Sequence, residues 1–309
     1  MNQVQDLFRS ERFRRLLAQH EGGDHVGVRQ ELAAAIAESS GRERAFWLLV
    51  RSGGMINLPA PPVGPIMAET REALAAAPGD VEVEALALLN LLGLAVRAER
   101  VEDAPDWVAM LHRVVRRASD PCRIWFNLGT LQWRRGRPRA AVRNYTLALA
   151  EMARWDEEHK LCHQARFYMG HCYRALAALE AGLIEQAQHD VAAAERLLAS
   201  TPTADEALLR LAQATLALHR GDAALARQRL QMIRVGEQVA KYRRTAYPIR
   251  AEVEAVAGLI ALAEGNQEAF AHFIARAQAI AQEHQLPLTA RRIEQMRTRA
   301  LGQGAAALV

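Results

Sequence analysis

Cysteine is scarce in this sequence, which contains only Cys122, Cys162 and Cys172 among its 309 residues. A small and odd number of cysteines does not form the kind of disulfide framework that holds secreted domains together. Residues 1–10 lack the apolar run of a secretory signal, and no uncharged apolar stretch reaches the roughly 18 residues that mark a transmembrane helix. We therefore expect a soluble, cytoplasmic protein without a membrane partner.

Aromatic residues are also few, at 6% of the chain, although hydrophobic residues as a whole make up 50%. Alanine and leucine supply most of the apolar content, and both favour helix over strand. A long helical chain without one dense aromatic core suits an architecture in which each unit packs mainly on its neighbours. The composition therefore predicts an all-α protein.

Lysine is nearly absent, because Lys160 and Lys241 are the only lysines among 39 basic residues. The formal net charge is +4. This excess is too diffuse to require a nucleic-acid partner, since proteins that bind nucleic acid concentrate their basic residues in a patch or stripe. The charge therefore does not favour nucleic acid.

A repeated pattern of large and small residues begins at Trp125. Its clearest copy contains Trp125, Leu128, Gly129, Gly136, Ala141, Tyr145 and Ala148. Small residues such as Gly129 allow two antiparallel helices to approach closely, and large ones such as Tyr145 fill the space between neighbouring hairpins. Gly136 gives the backbone the freedom that a tight turn between helices needs. The pattern therefore predicts packed helical hairpins.

Three later segments repeat this pattern around Gly182, Gly221 and Gly265. Counted from Gly136, successive turn glycines are 46, 39 and 44 residues apart. The pattern resembles the tetratricopeptide repeat (TPR), whose standard length is about 34 residues. The longer and irregular spacing is similar to that of the MalT-like sensor domains of bacterial transcription activators. The resemblance implies a TPR-like α-α superhelical solenoid of antiparallel hairpins.

The pattern divides the chain into four regions. We predict an N-terminal hairpin region with a Gly/Pro linker, divergent helical repeats, TPR-like repeats, and a capping helix with a tail, at residues 1–64, 65–120, 121–286 and 287–309 respectively. The prediction of a linker or an ordered loop rests on Gly53–Pro65, where four prolines and three glycines fall within 13 residues and argue against regular helix.

Motifs of catalytic sites are missing from the sequence. A Walker A loop needs Gly-Lys, but Lys160 follows His159 and Lys241 follows Ala240. Neither a G-x-S-x-G nucleophile elbow nor a G-x-G-x-x-G dinucleotide loop occurs. We therefore expect no enzyme activity, no catalytic residue and no cofactor.

The sharpest chemical alternative is a metal site at His159 and His163. Their i, i+4 spacing would place both imidazoles on one helix face, as metal ligands require. Lys160, however, stands where a zinc hydrolase has its general-base glutamate, and Cys162 points about 100° away from His163 around the helix. Two partly exposed histidines beside a buried thiol explain the pattern more simply. We therefore predict no metal site, and a metal-binding protein is the third functional hypothesis.

The TPR resemblance implies a binding surface on the concave face, which the first helix of each hairpin lines. Carried over position by position, it predicts these partner-binding residues: Arg123, Phe126, Thr130, Trp133, Arg134, Phe167, His171, Arg174, Thr215 and His219. Burial between repeats is the alternative for each of them. Aromatic side chains offer large contact area, and arginines pair with carboxylates. We expect a non-enzymatic scaffold that binds a protein or peptide, with acidic or carboxylate-bearing ligands favoured, in bacterial signalling or regulation.

Two further alternatives stay open. A transcription regulator or nucleic-acid-binding protein would use an arginine-rich surface, such as Lys241–Arg244 with Arg250, or a helix-turn-helix at Gln30–Val50. The second helix of that motif contains Ala45–Val50, which is too apolar to read a DNA groove. Self-association into a homo-oligomer is the alternative if the N-terminal hairpin caps its end of the solenoid poorly.

Overall fold

The computed structural model of the chain describes residues 3–21, 24–56, 61–99, 114–115, 121–159, 164–199, 206–233 and 246–303. Within these ranges all regular secondary structure is helical, with fifteen helices and no strand. The prediction of an all-α protein is therefore confirmed. The chain divides into two compact units, Met1–Ile124 and Trp125–Val309.

The described part of the N-terminal unit contains six helices. They are α1 (Gln3–Phe8), α2 (Glu11–Glu21), α3 (His25–Glu38), α4 (Gly41–Ile56), α5 (Val63–Ala76) and α6 (Val81–Ala98). The central helix is α4, because α1, α3, α5 and α6 all pack against it. Its residues Phe46, Trp47 and Leu48 are almost fully buried. Burial of such side chains stabilises the fold by roughly 1.5–3 kcal/mol each.

Side-chain caps define two helix starts in this unit. The Asp24 carboxylate accepts a 2.8 Å hydrogen bond from the Gly27 backbone N–H and caps α3. The Asp80 carboxylate accepts bonds of 3.1 and 3.2 Å from the backbone N–H groups of Glu82 and Val83, and it caps α6. Each cap satisfies amides that have no partner within the helix.

The predicted break at Gly53–Pro65 is partly wrong. Helix α4 continues beyond Gly53, and α5 already includes Pro65. A Cβ on Gly53 would lie 3.2 Å from Asn90 Oδ1, so the glycine lets α4 pack closely on α6. Pro65 lies in the first turn of α5, where a missing N–H breaks no helical hydrogen bond. Residues 57–60, between the two helices, lie outside the described residues.

The C-terminal part of the chain is built from helical hairpins. Its helices are α7 (Pro121–Arg134), α8 (Pro138–His159), α9 (Gln164–Glu180), α10 (Ile184–Ala199), α11 (Glu206–His219), α12 (Ala223–Gln231), α13 (Ala246–Ala263), α14 (Gln267–Glu283) and α15 (Pro287–Gln303). The hairpins are α7–α8, α9–α10, α11–α12 and α13–α14, and α15 packs on α14. The first helices also contact each other, because α9 packs on α11, α11 on α13, and α13 on α15.

The four predicted turn glycines lie in left-handed turns inside these hairpins. The φ angle is +70° at Gly136, +74° at Gly182, +76° at Gly221 and +80° at Gly265. A side chain in this region costs energy, which glycine avoids. At each turn the amide after the glycine donates a hydrogen bond of 2.8–3.0 Å to a carbonyl five residues earlier, as in a Schellman motif. The predicted turns are therefore confirmed.

Gly129 and Tyr145 form a close contact between α7 and α8, where the repeat pattern predicts that the two helices approach closely at Gly129. A Cβ on Gly129 would lie 2.8 Å from the Cδ1 and Cε1 atoms of the Tyr145 ring. The Tyr145 side chain is fully buried, and its hydroxyl donates a 3.0 Å hydrogen bond to Thr130 Oγ1. Tyr173 of α9 stacks on the same ring at a centroid distance of 6.0 Å. The glycine therefore makes room for a ring that is held on several sides.

We expect Gly129→Ala to lower the free energy of unfolding by about 1–3 kcal/mol, because the new methyl group overlaps the fully buried Tyr145 ring. Urea unfolding followed by circular dichroism measures the change. Gly302→Ala is the matched control, since Gly302 is helical and exposed and a Cβ there meets nothing within 4 Å. Equal stability of the two variants would show that the ring relaxes freely.

Candidate functional site

The first helices of successive hairpins line a cavity of about 410 Å³. Its apolar lining includes Leu176, Leu179, Leu211, Val256, Leu259 and Met296, and its polar lining includes Glu180, Thr215, His219, Glu252, Arg292 and Arg299. These residues come from α9, α11, α13 and α15. Ligand pockets typically measure about 300–1,000 Å³ and combine apolar walls with a few polar groups. The cavity has both properties.

Arg292 of α15 joins three other helices at this cavity. Its guanidinium pairs with Glu252 of α13 and with Glu180 of α9, whose Oε2 lies 3.3 Å from Arg292 Nε. Only 5% of the Arg292 side chain is exposed. The ring of Trp133, from α7, lies over the guanidinium, with its centroid 4.0 Å from Cζ. One side chain therefore ties α15 to α7, α9 and α13.

Trp133, a predicted partner-binding residue, belongs to this buried network. It is 4% exposed, and its Nε1–H donates a 3.0 Å hydrogen bond to Glu180 Oε1. Its ring also meets Tyr173 edge to face at a centroid distance of 5.9 Å. In this structure Trp133 therefore positions Glu180 and Arg292, and its contacts are internal.

Two of the predicted binding residues, Thr215 and His219, line the cavity itself. The Thr215 hydroxyl donates a 2.9 Å hydrogen bond to the Leu211 carbonyl, which leaves its oxygen lone pairs available. The Nδ1 of His219 is buried and has no hydrogen-bond partner among the described residues. Burial lowers the pKa of His219, and the negative charge of Glu180 opposes this only in part, so the imidazole is neutral near pH 7. A buried ring nitrogen without a partner is a site at which a ligand gains a hydrogen bond.

His171 and Arg174, two further predicted binding residues, both hold Asp190 of α10. The buried Asp190 carboxylate accepts hydrogen bonds from His171 Nδ1 at 2.8 Å and from Arg174 Nε and Nη2 at 2.9 and 2.7 Å. Gln186 donates a fourth bond at 3.2 Å. Burial by itself raises the pKa of Asp190, but the bonds from His171 and Arg174 and the charge of Arg174 outweigh it, so the pKa lies below its usual value. This cluster joins α9 to α10.

The remaining predicted binding residues do not line the cavity. Phe126 packs edge to face against Tyr145 and Tyr173, at centroid distances of 5.6 and 5.5 Å. Thr130 is buried beneath the Tyr145 hydroxyl. The others differ in exposure, with Arg134 buried, Phe167 half-buried and Arg123 exposed. The structure therefore does not gather the ten residues on one surface patch.

A second cavity, of about 330 Å³, lies between α12, α13 and α14. Its charged side chains pair with each other, because Arg227 binds Glu264 and Arg276 lies 3.0 Å from Glu254. Its walls are otherwise mainly apolar and include Phe273. The first cavity, of about 410 Å³, differs in this respect, because its Arg299 has no ion pair among the described residues.

The alternative metal site cannot be placed, since the His159 side chain and residues 160–163 lie outside what the structure describes. Among the described residues no group of three or more His, Cys, Asp or Glu side chains is arranged to hold a metal ion. The basic cluster Lys241–Arg244 also lies outside the described ranges. In the part of the chain that is described, no helix is both long and apolar enough to cross a bilayer.

The candidate helix-turn-helix lies in the core of the N-terminal unit. Arg42 pairs with Asp80, and Arg44 pairs with Glu72 at 2.6 Å. Residues 45–49 of the second helix are buried. Because both arginines face carboxylates and the helix is covered, this segment offers little of the basic surface that contact with DNA phosphates needs.

Comparisons with known proteins identify no relative of this chain. No family model, curated protein or solved structure matches it.

Four charged residues that organise the C-terminal unit do not belong to the predicted binding set: Glu180, Asp190, Glu252 and Arg292. The partners of Arg292 are 112 and 40 residues away in the chain, so no local pattern reports them. Asp190 carries a weak signal, because it lies between the small or apolar core positions Ala187 and Val191. An acidic residue on the buried face of a helix needs a hydrogen-bonding or charged partner. This requirement could have identified Asp190 as a structural residue.

Proposed function

We propose that this chain is a non-enzymatic, TPR-like scaffold that binds a segment of another protein in the cavity lined by α9, α11, α13 and α15. The observation that carries the proposal is a cavity of ligand size at the helices that the TPR resemblance assigns to binding. Thr215 and His219 belong both to the predicted binding set and to the cavity lining. Both the positions of these residues and their chemistry therefore support binding in this cavity.

The lining suits a peptide with apolar and acidic side chains. Leu211, Val256 and Met296 offer an apolar wall, against which a partner's side chain loses contact with water. Arg299 is exposed and lines the same cavity, where it would attract a carboxylate. These features favour an acidic or carboxylate-bearing partner. A cytoplasmic role as an adaptor in bacterial signalling or regulation follows as part of the same proposal.

The proposal is tested by selecting peptides from a random displayed library on the purified full-length chain. A selected peptide is then labelled with a fluorophore, and its Kd is measured by fluorescence polarisation. We expect Thr215→Trp to weaken binding by at least about tenfold, because the indole fills the cavity and costs 1.4 kcal/mol or more. Met296→Trp, from the opposite helix α15, should act in the same direction.

Thr298→Trp is the matched control, since Thr298 lies on α15, is exposed and does not line the cavity. Its Kd should stay within about twofold of the unaltered chain. Circular dichroism melting confirms that the variants fold. If no library peptide is enriched, or if both cavity-filling variants bind as tightly as the control, the proposed function is wrong.

A further inference from the structure

We infer that the cavity between α9, α11, α13 and α15 recognises an aliphatic carboxylate, with the carboxylate at Arg299 and His219 and the hydrocarbon part against the leucines and Met296. The inference rests on the proposed function, because it takes the same cavity as the binding site and names the chemistry of its ligand. The carboxylate belongs either to the C-terminal residue of a peptide or to a free acid.

One charged group of the cavity lining remains to pair with an anion. Both acidic groups, Glu180 and Glu252, are already held by the buried guanidinium of Arg292. Glu180 accepts a further hydrogen bond from the Trp133 indole. Arg299 is the remaining charged group in the lining, and it has no carboxylate partner among the described residues. An arginine that lines a cavity can pair with a planar carboxylate through two parallel N–H···O bonds.

His219 is the second polar group of the cavity lining in this proposal. Its buried Nδ1 lacks a partner within the described part of the chain. In the tautomer with a proton on Nδ1, this nitrogen donates a hydrogen bond to a carboxylate oxygen. A ligand that fills this position removes the cost of an unsatisfied buried nitrogen, whereas a purely apolar ligand leaves that cost in place.

The apolar lining selects for a hydrocarbon chain. Leu179, Leu211, Val256, Leu259 and Met296 line the cavity around the polar groups. Each methylene that moves from water to such a wall raises affinity by up to about fourfold. Affinity should therefore rise with chain length from butanoate to octanoate, until the chain fills the cavity.

The test uses the full-length chain labelled with ¹³C at the methionine methyl groups, with the Met296 signal assigned through Met296→Leu. We expect sodium octanoate to shift the Met296 methyl resonance with saturation, and octan-1-ol and octylamine to bind at least about tenfold more weakly. Arg299→Gln should weaken octanoate by about tenfold or more, whereas Arg291→Gln, an exposed arginine of α15 outside the lining, should not. His219→Phe should also weaken octanoate, because it removes the hydrogen bond to Nδ1.

The two sources of the carboxylate are separated with the probe acetyl-Ala-Ala-Leu, as the free acid and as the C-terminal amide. Binding of the peptide acid but not of its amide identifies a peptide C-terminus as a ligand, and binding of octanoate alone identifies a free acid. Tighter binding of octylamine than octanoate, unchanged affinity in Arg299→Gln, or no binding of either acid would overturn the inference. In that case a library-selected peptide that is sensitive to Thr215→Trp would still support the proposed function. If octanoate binds but no peptide is selected, the proposed function is wrong and the inference about the carboxylate still holds.

Discussion

Replacing Arg292 by methionine is expected to lower the free energy of unfolding by about 3–5 kcal/mol. The substitution removes the cation that holds Glu180 and Glu252, which are only 18% and 7% exposed. Two partly desolvated carboxylates then face each other without a counter-charge, and the Trp133 ring loses the guanidinium that lies 4.0 Å from its centroid. The cost arises mainly from the groups that stay behind and less from the lost pair itself.

Two comparison variants separate these contributions. Arg292→Lys keeps a positive charge but cannot bind both carboxylates through a planar fork, so we expect an intermediate loss. Adding Glu180→Gln and Glu252→Gln to Arg292→Met removes the uncompensated charges, so the triple variant should recover at least part of the loss.

Urea unfolding at pH 7 measures these differences, and Arg291→Met, on the exposed side of the same helix, is the matched control. Arg291→Met should change the unfolding free energy by less than about 0.5 kcal/mol. If Arg292→Met lowered the unfolding free energy by as little as the Arg291→Met control, water would hydrate the two glutamates in the native state. The buried network would then not organise α15.

Replacing Asp190 by alanine is expected to cost about 3–5 kcal/mol at pH 7. The side chain is fully buried and receives two hydrogen bonds from Arg174 and one each from His171 and Gln186. Without it, the Arg174 guanidinium, only 11% exposed, keeps its position without an anion. Asp190→Asn retains the shape and part of the hydrogen bonding, so its loss should be smaller.

The effect of Asp190 depends on pH in a defined direction. Because the pKa of Asp190 is lower in the folded state, its stabilising contribution is fully present above the ordinary aspartate value of 3.8. That contribution is lost as the pH falls below 3.8 and through the folded pKa. The stability difference between the unaltered chain and Asp190→Asn should therefore shrink in this range.

Urea unfolding of both chains at pH 7, 5, 4 and 3 checks this expectation. Glu185→Gln, an exposed acidic residue in the first turn of the same helix, is the control for the overall acid destabilisation. A difference that stays constant from pH 7 to pH 3 would mean that Asp190 does not titrate with a lowered pKa in the native state.

The local features of the hairpins could be predicted from the sequence. The turns at Gly136, Gly182, Gly221 and Gly265 all adopt the left-handed backbone that their glycines suggested. A glycine between two apolar helical segments is a local signal, because its φ angle and its hydrogen bonds involve only neighbouring residues. The contact of Gly129 with Tyr145 was also predictable, since a hairpin with a short turn brings residues at known offsets together.

The Gly53–Pro65 segment shows where local propensity fails. Glycine weakens an isolated helix by about 1 kcal/mol relative to alanine, which favoured a break at Gly53. In the folded chain the same glycine allows α4 to approach Asn90 of α6, so tertiary packing offsets the weak propensity. The prediction failed because the compensating contact comes from a residue 37 positions later.

The candidate site was only partly predictable. Thr215 and His219 were identified from the repeat positions, and they line the cavity. Whether an arginine can bind a ligand, in contrast, depends on whether a carboxylate of the same chain already pairs with it. Arg174 was expected to meet a partner's carboxylate but binds Asp190, while Arg299, which was not predicted, lines the cavity without an ion pair among the described residues.

The sequence by itself determined the all-α class, the hairpin turns and the small-against-large packing, because each depends on residues close together in the chain or at a fixed helical offset. Only the tertiary structure decided which charges are satisfied internally and which line the cavity. Arg292 meets Glu252 and Glu180 across 40 and 112 residues. Electrostatic partners at such separations leave no periodic trace in a sequence, since a charge interacts through space and not along the chain.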